Sequence, residues 1–374
     1  MAKSFGKHDS FLVRAAAPFN GGPAPKCIAA AFITPIEQFF VRAHADVPAV
    51  DAASFSLDVG GLVRSPLKLS LSELRSKFAS HRIAATLQCA GNRRDQLIAI
   101  APVPGEVPWG AEAISTAEWE GIRLRDLLDA AGVNASPGGS DDAGHVEFVG
   151  HDQISKVGKT FGFGGSIPLD KARGDEVLIA WSMNGQPLPA IHGFPLRVIV
   201  PGFIGARSVK WLEQINVLAA PSENFFQAHA YKLFAPEVRA EAADWKTGVM
   251  LGDFPVSSAI TSPELGATLV AGETTIRGWA IAGGGRTIER VEVSVDDGQH
   301  WLPARFTDAR VDRWTWRIWE CGAALSPGTH FIACRAFDSA GAAQPADARE
   351  RWNFKGYLNN AWHRVSVVVV APVK

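Results

Sequence analysis

Leu87-Gln88-Cys89-Ala90-Gly91-Asn92-Arg93-Arg94 runs from apolar residues into a cysteine, a Gly-Asn turn and two consecutive guanidinium groups. Residues Ile83 to Cys89 read as a strand, so Cys89 stands where a strand gives way to a loop. A thiol ordinarily titrates near about pH 8.5, and adjacent positive charge or a metal pulls it lower. A buried structural cysteine is the ordinary alternative. Arg93 and Arg94 weigh against it, because two guanidiniums need carboxylates or an anion to face, and the nearby sequence offers only Asp95.

Outward from this stretch, Phe55, Leu57 and Val59 alternate as a strand closed by Gly60-Gly61. Ser70 with Glu73 forms a capping box for a short helix, and a second helix over Leu124-Arg-Asp-Leu-Leu-Asp-Ala-Ala ends at Gly132. Further strands read from HVEFVG, DEVLIAWSM and LRVIVPG. Short helices and strands interleave without the regular alternation of a doubly wound sheet, which makes the fold class α+β. After Ala220 the pattern loses its period. From Phe254 it becomes short strands and turns, with Asp297-Gly298 as a hairpin signal. About seven strands over roughly 120 residues suit an immunoglobulin-type sandwich. The expected organisation is an irregular lead-in over 1–30, a catalytic domain over 31–220, a connecting arm over 221–253 and an all-β domain over 254–374.

The chain has 374 residues, 47% hydrophobic and 20% charged, with a formal net charge of -1, so no global basic field for nucleic acid exists. Its four cysteines form no CxxC and no disulfide scaffold. A Cys321–Cys334 bridge stays open, with core thiols as the main reading. No run approaches the roughly 18 apolar residues of a membrane span, and no signal-peptide core is evident. A cytoplasmic location is expected, or a periplasmic one if a leader has been removed. Trp314, Trp316, Trp319 and Trp352 read as filling the sandwich core or a dimer interface, with Trp109 exempted.

Other candidates lie along the first domain. Phe40, Arg42 and His44 share one face if their segment is extended. His192 and Arg197 flank a Pro turn, and Arg207, Ser208 and Lys210 gather donors suited to phosphate oxygens. The Gly-rich KTFGFGGS lacks the Gly-Lys-Ser/Thr ending of a P-loop, and no HExxH or Ser-His-Asp order is present. The set suits a phosphate-bearing organic cofactor and an anionic substrate better than hydrolysis.

LQCAGNRR, with FFVRAH upstream and AISTAEW and SMNGQPLPAIHGFPLRVIVPGFIGARSVKWL downstream, resembles the molybdopterin domain of the sulfite oxidase family and of assimilatory nitrate reductases. GGGRTIERVEVSVDDGQHW and YLNNAWHRV resemble that family's immunoglobulin-like dimerisation domain. The likeness runs over roughly residues 34 to 370 in order. It implies molybdenum with one molybdopterin, and Cys89 as the protein's thiolate ligand. Phe40, Arg42, His44, Asp152, His192, Arg197, Ser208, Val209 and Lys210 would hold the pterin and its phosphate, with Arg207 a weaker candidate. Arg42, Arg94 and Trp109 would form an oxyanion pocket. The implied reaction is oxygen-atom transfer that turns sulfite into sulfate, in a homodimer. The chain shows no haem b5, flavin or NADH-binding segment, so electrons are expected to leave to a cytochrome or to oxygen.

Two positions depart from the resemblance. Phe163 stands where the family's Tyr-Gly-Ala-Ser-Ile-Pro motif has an active-site Tyr, which implies a missing hydroxyl donor. Lys355 stands where an Arg reaches the anion, keeping charge without the planar fork. These departures keep a second substrate reading open: nitrate, a sulfane sulfur or an S-oxide.

Overall fold

A computed structural model describes residues 5–133, 143–308 and 312–372; residues 1–4 of the lead-in and 373–374 of the tail lie outside them. Strands dominate. The longest described α-helices, Leu71–Lys77 and Leu124–Ala130, have seven residues each. The first carries the expected capping box, with the Ser70 hydroxyl accepting from the Glu73 N–H and the Glu73 carboxylate accepting from the Ser70 N–H.

Two sheets build the first lobe. One orders Gly164–Pro168, His145–Gly150, Leu212–Leu218, Ser56–Gly61 and Leu67–Ser70, with a parallel pairing between Leu212–Leu218 and Ser56–Gly61. The other orders Gln186–Pro187, Leu178–Met183, Ile114–Arg123 and His81–Gln88, with Arg197–Ile199 also pairing Leu178–Met183. Strand alternation divides this second sheet between two cores. Ile122, Ile179 and Val198 pack against Leu57, Val59, Phe148 and Ile215 of the first sheet. Ala85, Leu87, Leu178 and Ala180 face the other way, into a cluster with Phe39, Phe40, Cys89 and Trp109. That second cluster floors the functional site.

In the second lobe, Ser257–Ser262, Gly272–Ile281, Arg317–Leu325 and Arg305–Phe306 form a four-stranded sheet. It faces a five-stranded sheet of Thr268–Val270, His363–Val370, Gly328–Asp338, Ile288–Ser294 and Leu302–Pro303. Both line a shared core that includes Ile276, Trp319, Val291, Ile332 and Val367. Asp297 and Gly298 both adopt positive φ, as the turn signal requires. Cys321 and Cys334 are free, and Cys334 Sγ lies 3.3 Å from the Ser258 hydroxyl.

Two expectations need correction. The lead-in is ordered where described: Leu12–Ala16 and Phe19–Gly22 pair as an antiparallel hairpin, and Gly21 bridges to Val41. Its apolar content hid in Phe11 and Phe19, which pack on Val41 and Ile191. The segment Phe39–His44 is no ladder strand; that single bridge is its one pairing among the described residues. The arm packs closely too. Phe226, Tyr231 and Leu251 join Phe254, Trp279 and Trp316 in a core between the lobes.

Candidate active site

Cys89 follows the strand His81–Gln88 at once, and its N–H donates to Ala113 O at 2.9 Å. The chain then turns tightly: the Asn92 N–H reaches Cys89 O, and the Gly91 N–H approaches Cys89 Sγ at 3.4 Å. Both arginines donate to backbone carbonyls, and Arg94 also faces a carboxylate, that of Glu106. Arg93 reaches Ser258 O and Ala361 O, and Arg94 reaches Lys355 O and Gly356 O, at 3.1 and 3.2 Å from Nε. They stitch the cysteine turn to the second lobe.

Above the thiol opens a cavity of about 690 Å³, counting its mouth. Cys89, Phe40, Arg42, His44, Asp152, Phe163, His192, Arg197, Ser208, Val209 and Lys210 all line it. Residues far apart in sequence meet there: Cys89 just beyond a strand, His192 in a 3-10 turn, Arg197 at the start of a strand and Lys210 two residues before one. Asp152 and Phe163 flank the hairpin Ile154–Phe161 and are joined by the Phe163 N–H donating to Asp152 Oδ1 at 3.1 Å. Arg197 clamps two walls by donating to His192 O at 2.9 Å and Ser208 O at 3.1 Å.

The electrostatics are one-sided. Burial, then Arg197, press the Lys210 ammonium down to about 7, with Asp152 opposing and Arg42 and Lys7 adding to the fall. Burial followed by Arg42 keeps His44 well below its usual pKa, and burial followed by Lys7 does the same for His192. Arg42 Nη2 lies 3.0 Å from His44 Nε2, and Lys7 Nζ lies 2.8 Å from His192 Nε2. A guanidinium only donates, so His44 accepts at Nε2 and carries its proton on Nδ1, and His192 does the same while Lys7 is an ammonium. Burial raises Asp152, and Lys210 partly offsets this. Several cations with one carboxylate, in a buried cavity, call for an anionic ligand.

Four expected residues stand outside the lining. Arg207 is buried elsewhere, donating to Leu251 O and Phe226 O, both at 3.1 Å. It therefore braces the arm and stands outside the cavity lining. Trp109 is fully buried beside Cys89 in the cluster below, and its indole N–H finds no partner among the described residues. Arg94 and Lys355 both turn to Glu106: Arg94 Nη2 stands 3.6 Å from its carboxylate, and Lys355 forms a direct ion pair with it. An internal carboxylate thus holds the two cations expected to meet substrate.

Sequence reasoning missed Tyr231. It lines the cavity from the connecting arm, with its hydroxyl 3.2 Å from His44 Nε2. The hydroxyl that Phe163 cannot supply is present after all. Phe163 instead stacks on His44, ring centroids 4.9 Å apart. A signal was available: the chain has two tyrosines, and both lie here, Tyr231 stacked on Tyr357 at 5.3 Å.

Comparison with known proteins agrees with this geometry. Residues 44–226 match the model of the oxidoreductase molybdopterin binding domain, and residues 249–370 that of the Mo-co oxidoreductase dimerisation domain. The chain is 42% identical to a sulfite oxidase of Gallus gallus over 364 residues, covering 96% of this chain and 78% of that protein. It is 40% identical to a sulfite oxidase of Arabidopsis thaliana over 373 residues, covering 96% and 94%. The chain belongs to the sulfite oxidase family. It is a molybdenum-cofactor oxidoreductase. Its fold is similar to that of the sulfane dehydrogenase SoxCD from Paracoccus pantotrophus, with a TM-score of 0.77 and 25% identity over 94% of this chain and 84% of that one.

The residues fit the family's cofactor. Among the described residues no three His, Cys, Asp or Glu side chains gather to hold a metal, so the metal would take Cys89 and ligands that the cofactor brings. Arg197 Nε is buried at the cavity wall without a partner among the described residues, and the cation excess suits a phosphate.

Proposed function

We propose that this enzyme oxidises sulfite to sulfate, passing two electrons to an external acceptor, a cytochrome or oxygen. The observation that carries the reading is a buried thiol at the floor of a cation-rich cavity. Bound there, the molybdenum cofactor would supply oxygen-atom transfer and two-electron redox chemistry. Cys89 would ligate the metal as thiolate, and Lys210, Arg197, Ser208 and the two cavity histidines would hold pterin and phosphate. Arg42 and the Tyr231 hydroxyl would orient the substrate oxyanion, while Phe40 and Phe163 keep water out. In so desolvated a place a fixed donor acts more strongly than in water.

In the same reading, residues 31–220 are an α+β catalytic domain and residues 254–374 an immunoglobulin-like domain. The arm 221–253 completes the site by bringing Tyr231. The match to a dimerisation domain supports a homodimer.

The test is sulfite-dependent ferricyanide reduction by protein of verified molybdenum content, beside Cys89→Ser. Activity should vanish in the variant. A loaded native enzyme inert to sulfite would reject the reading. The likeness to a sulfane dehydrogenase would then favour a sulfane sulfur, to be tried in the same assay.

A further inference from the structure

Lys7 lies in the amino-terminal segment, outside both domain matches. It is partly buried, and each of its three donors has a defined acceptor at 2.8 Å: Ile36 O, Phe39 O and His192 Nε2. Two of these belong to the stretch that runs into the wall Phe39–His44, and the third to the opposite wall. An ammonium has three N–H donors and no lone pair, so this arrangement uses it fully and dictates which His192 nitrogen bears the proton. Around it, Phe11 and Phe19 pack with Val41 and Ile191, so one apolar cluster joins the hairpin to both walls.

We propose that Lys7 is a positioning residue of the cofactor site, fixing His192 as its Nδ1–H tautomer and strapping the amino-terminal hairpin across the two walls of the cavity. The proposal rests on the reading that this cavity holds molybdopterin. A ring held this way keeps one tautomer and one orientation whether or not the cofactor is bound. Orienting partners of this kind change metal affinity by about 10–100-fold in other sites.

The test has two readouts independent of turnover. Histidine labelled with nitrogen-15 reports the tautomer of each ring, and His192→Gln assigns the His192 signals. Pterin retained through dialysis is measured as fluorescence of the oxidised pterin released from the protein. Native protein held below the Lys7 pKa of about 7, where Lys7 is an ammonium, should show His192 protonated at Nδ1 alone. Lys7→Met should lose that pattern and retain pterin about 10-fold less well, while Lys7→Arg, still a cation with several donors, should restore both. Should Lys7→Met not fold, Lys7→Gln carries the same comparison.

An unchanged tautomer in the folded variant, or unchanged retention, overturns the proposal and leaves the cavity assignment standing. A native protein loaded with molybdenum whose His192→Gln variant holds pterin equally well overturns the cavity assignment, and the role of Lys7 with it.

Discussion

The Tyr231 hydroxyl lies 3.2 Å from Nε2 of His44, a nitrogen that also faces Arg42 Nη2 at 3.0 Å. A neutral imidazole nitrogen has one lone pair. Arg42 can only donate to it, so the tyrosine hydrogen is free to turn toward a ligand. Burial also raises the Tyr231 pKa, which keeps the phenol protonated as a donor. Tyr231→Phe should therefore lower kcat/KM for sulfite while leaving molybdenum and pterin content unchanged. A hydrogen bond to a charged group contributes about 1.5–3 kcal/mol, or roughly 10–150-fold. Steady-state kinetics on metal-matched samples decides it, and a change under twofold would remove Tyr231 from the reaction.

Glu106 sets a second prediction. Its carboxylate holds Lys355 and stands 3.6 Å from Arg94, so a substrate anion competes with it for both cations. Glu106→Gln removes the internal competitor. The KM for sulfite should fall by about three- to tenfold at low ionic strength, with a smaller effect at high salt, because partly exposed charges are screened. A KM that does not move would mean that Lys355 stays clear of the anion.

What the sequence disclosed, and what it did not, follows from range. Local signals were legible: the Ser70–Glu73 capping box, the Gly132 helix stop and the left-handed pair Asp297-Gly298 are dictated within a few residues. Eleven expected site residues, from Phe40 to Lys210, were reachable through the resemblance and come together around one cavity. Arg207, which lies outside the lining, and Tyr231, which lies in it, were hard to place for a common reason. Which way a loop side chain points depends on partners distant in sequence, here Leu251 for Arg207 and His44 for Tyr231. The hairpin at Leu12–Ala16 and Phe19–Gly22 was obscured by Gly and Pro, which suit loops and tight hairpins alike.

Lys210 gives stability a pH dependence in the cofactor-free protein. Its folded pKa, pressed down to about 7 by burial and then Arg197, lies below the ordinary 10.5 of the unfolded chain. Lys7 falls to about 7 by burial, with Glu37 partly offsetting. Between these limits the unfolded state binds more protons than the folded one, so stability rises with pH. Thermal melting of the apo protein should climb from pH 7 to 9.5, and the climb should be shallower in Lys210→Met. Bound cofactor phosphate would raise the Lys210 pKa and flatten the slope. An apo melting temperature flat across that interval would mean that these ammonium groups are solvated.

Gly356 shows how backbone geometry governs Arg94. Its φ is +60°, and a Cβ there would lie 2.6 Å from Arg94 Cγ and 2.9 Å from Nε. Gly356→Ala thus adds left-handed strain and displaces a guanidinium that joins the cysteine turn to the second lobe. Gly266, at φ +79° with nothing within 4 Å of such a Cβ, isolates the strain alone. Gly266→Ala should cost about 1 kcal/mol and leave sulfite turnover intact. Gly356→Ala should cost about 1–3 kcal/mol more, since Arg94 cannot move without losing bonds to Val107 O, Lys355 O and Gly356 O, and kcat/KM should fall with it. Denaturant unfolding and kinetics on the pair separate the effects. Equal destabilisation would show that Arg94 yields freely, and the rigid link from Cys89 to the second lobe would then have to come from Arg93, whose bonds to Ser258 O and Ala361 O make the same crossing.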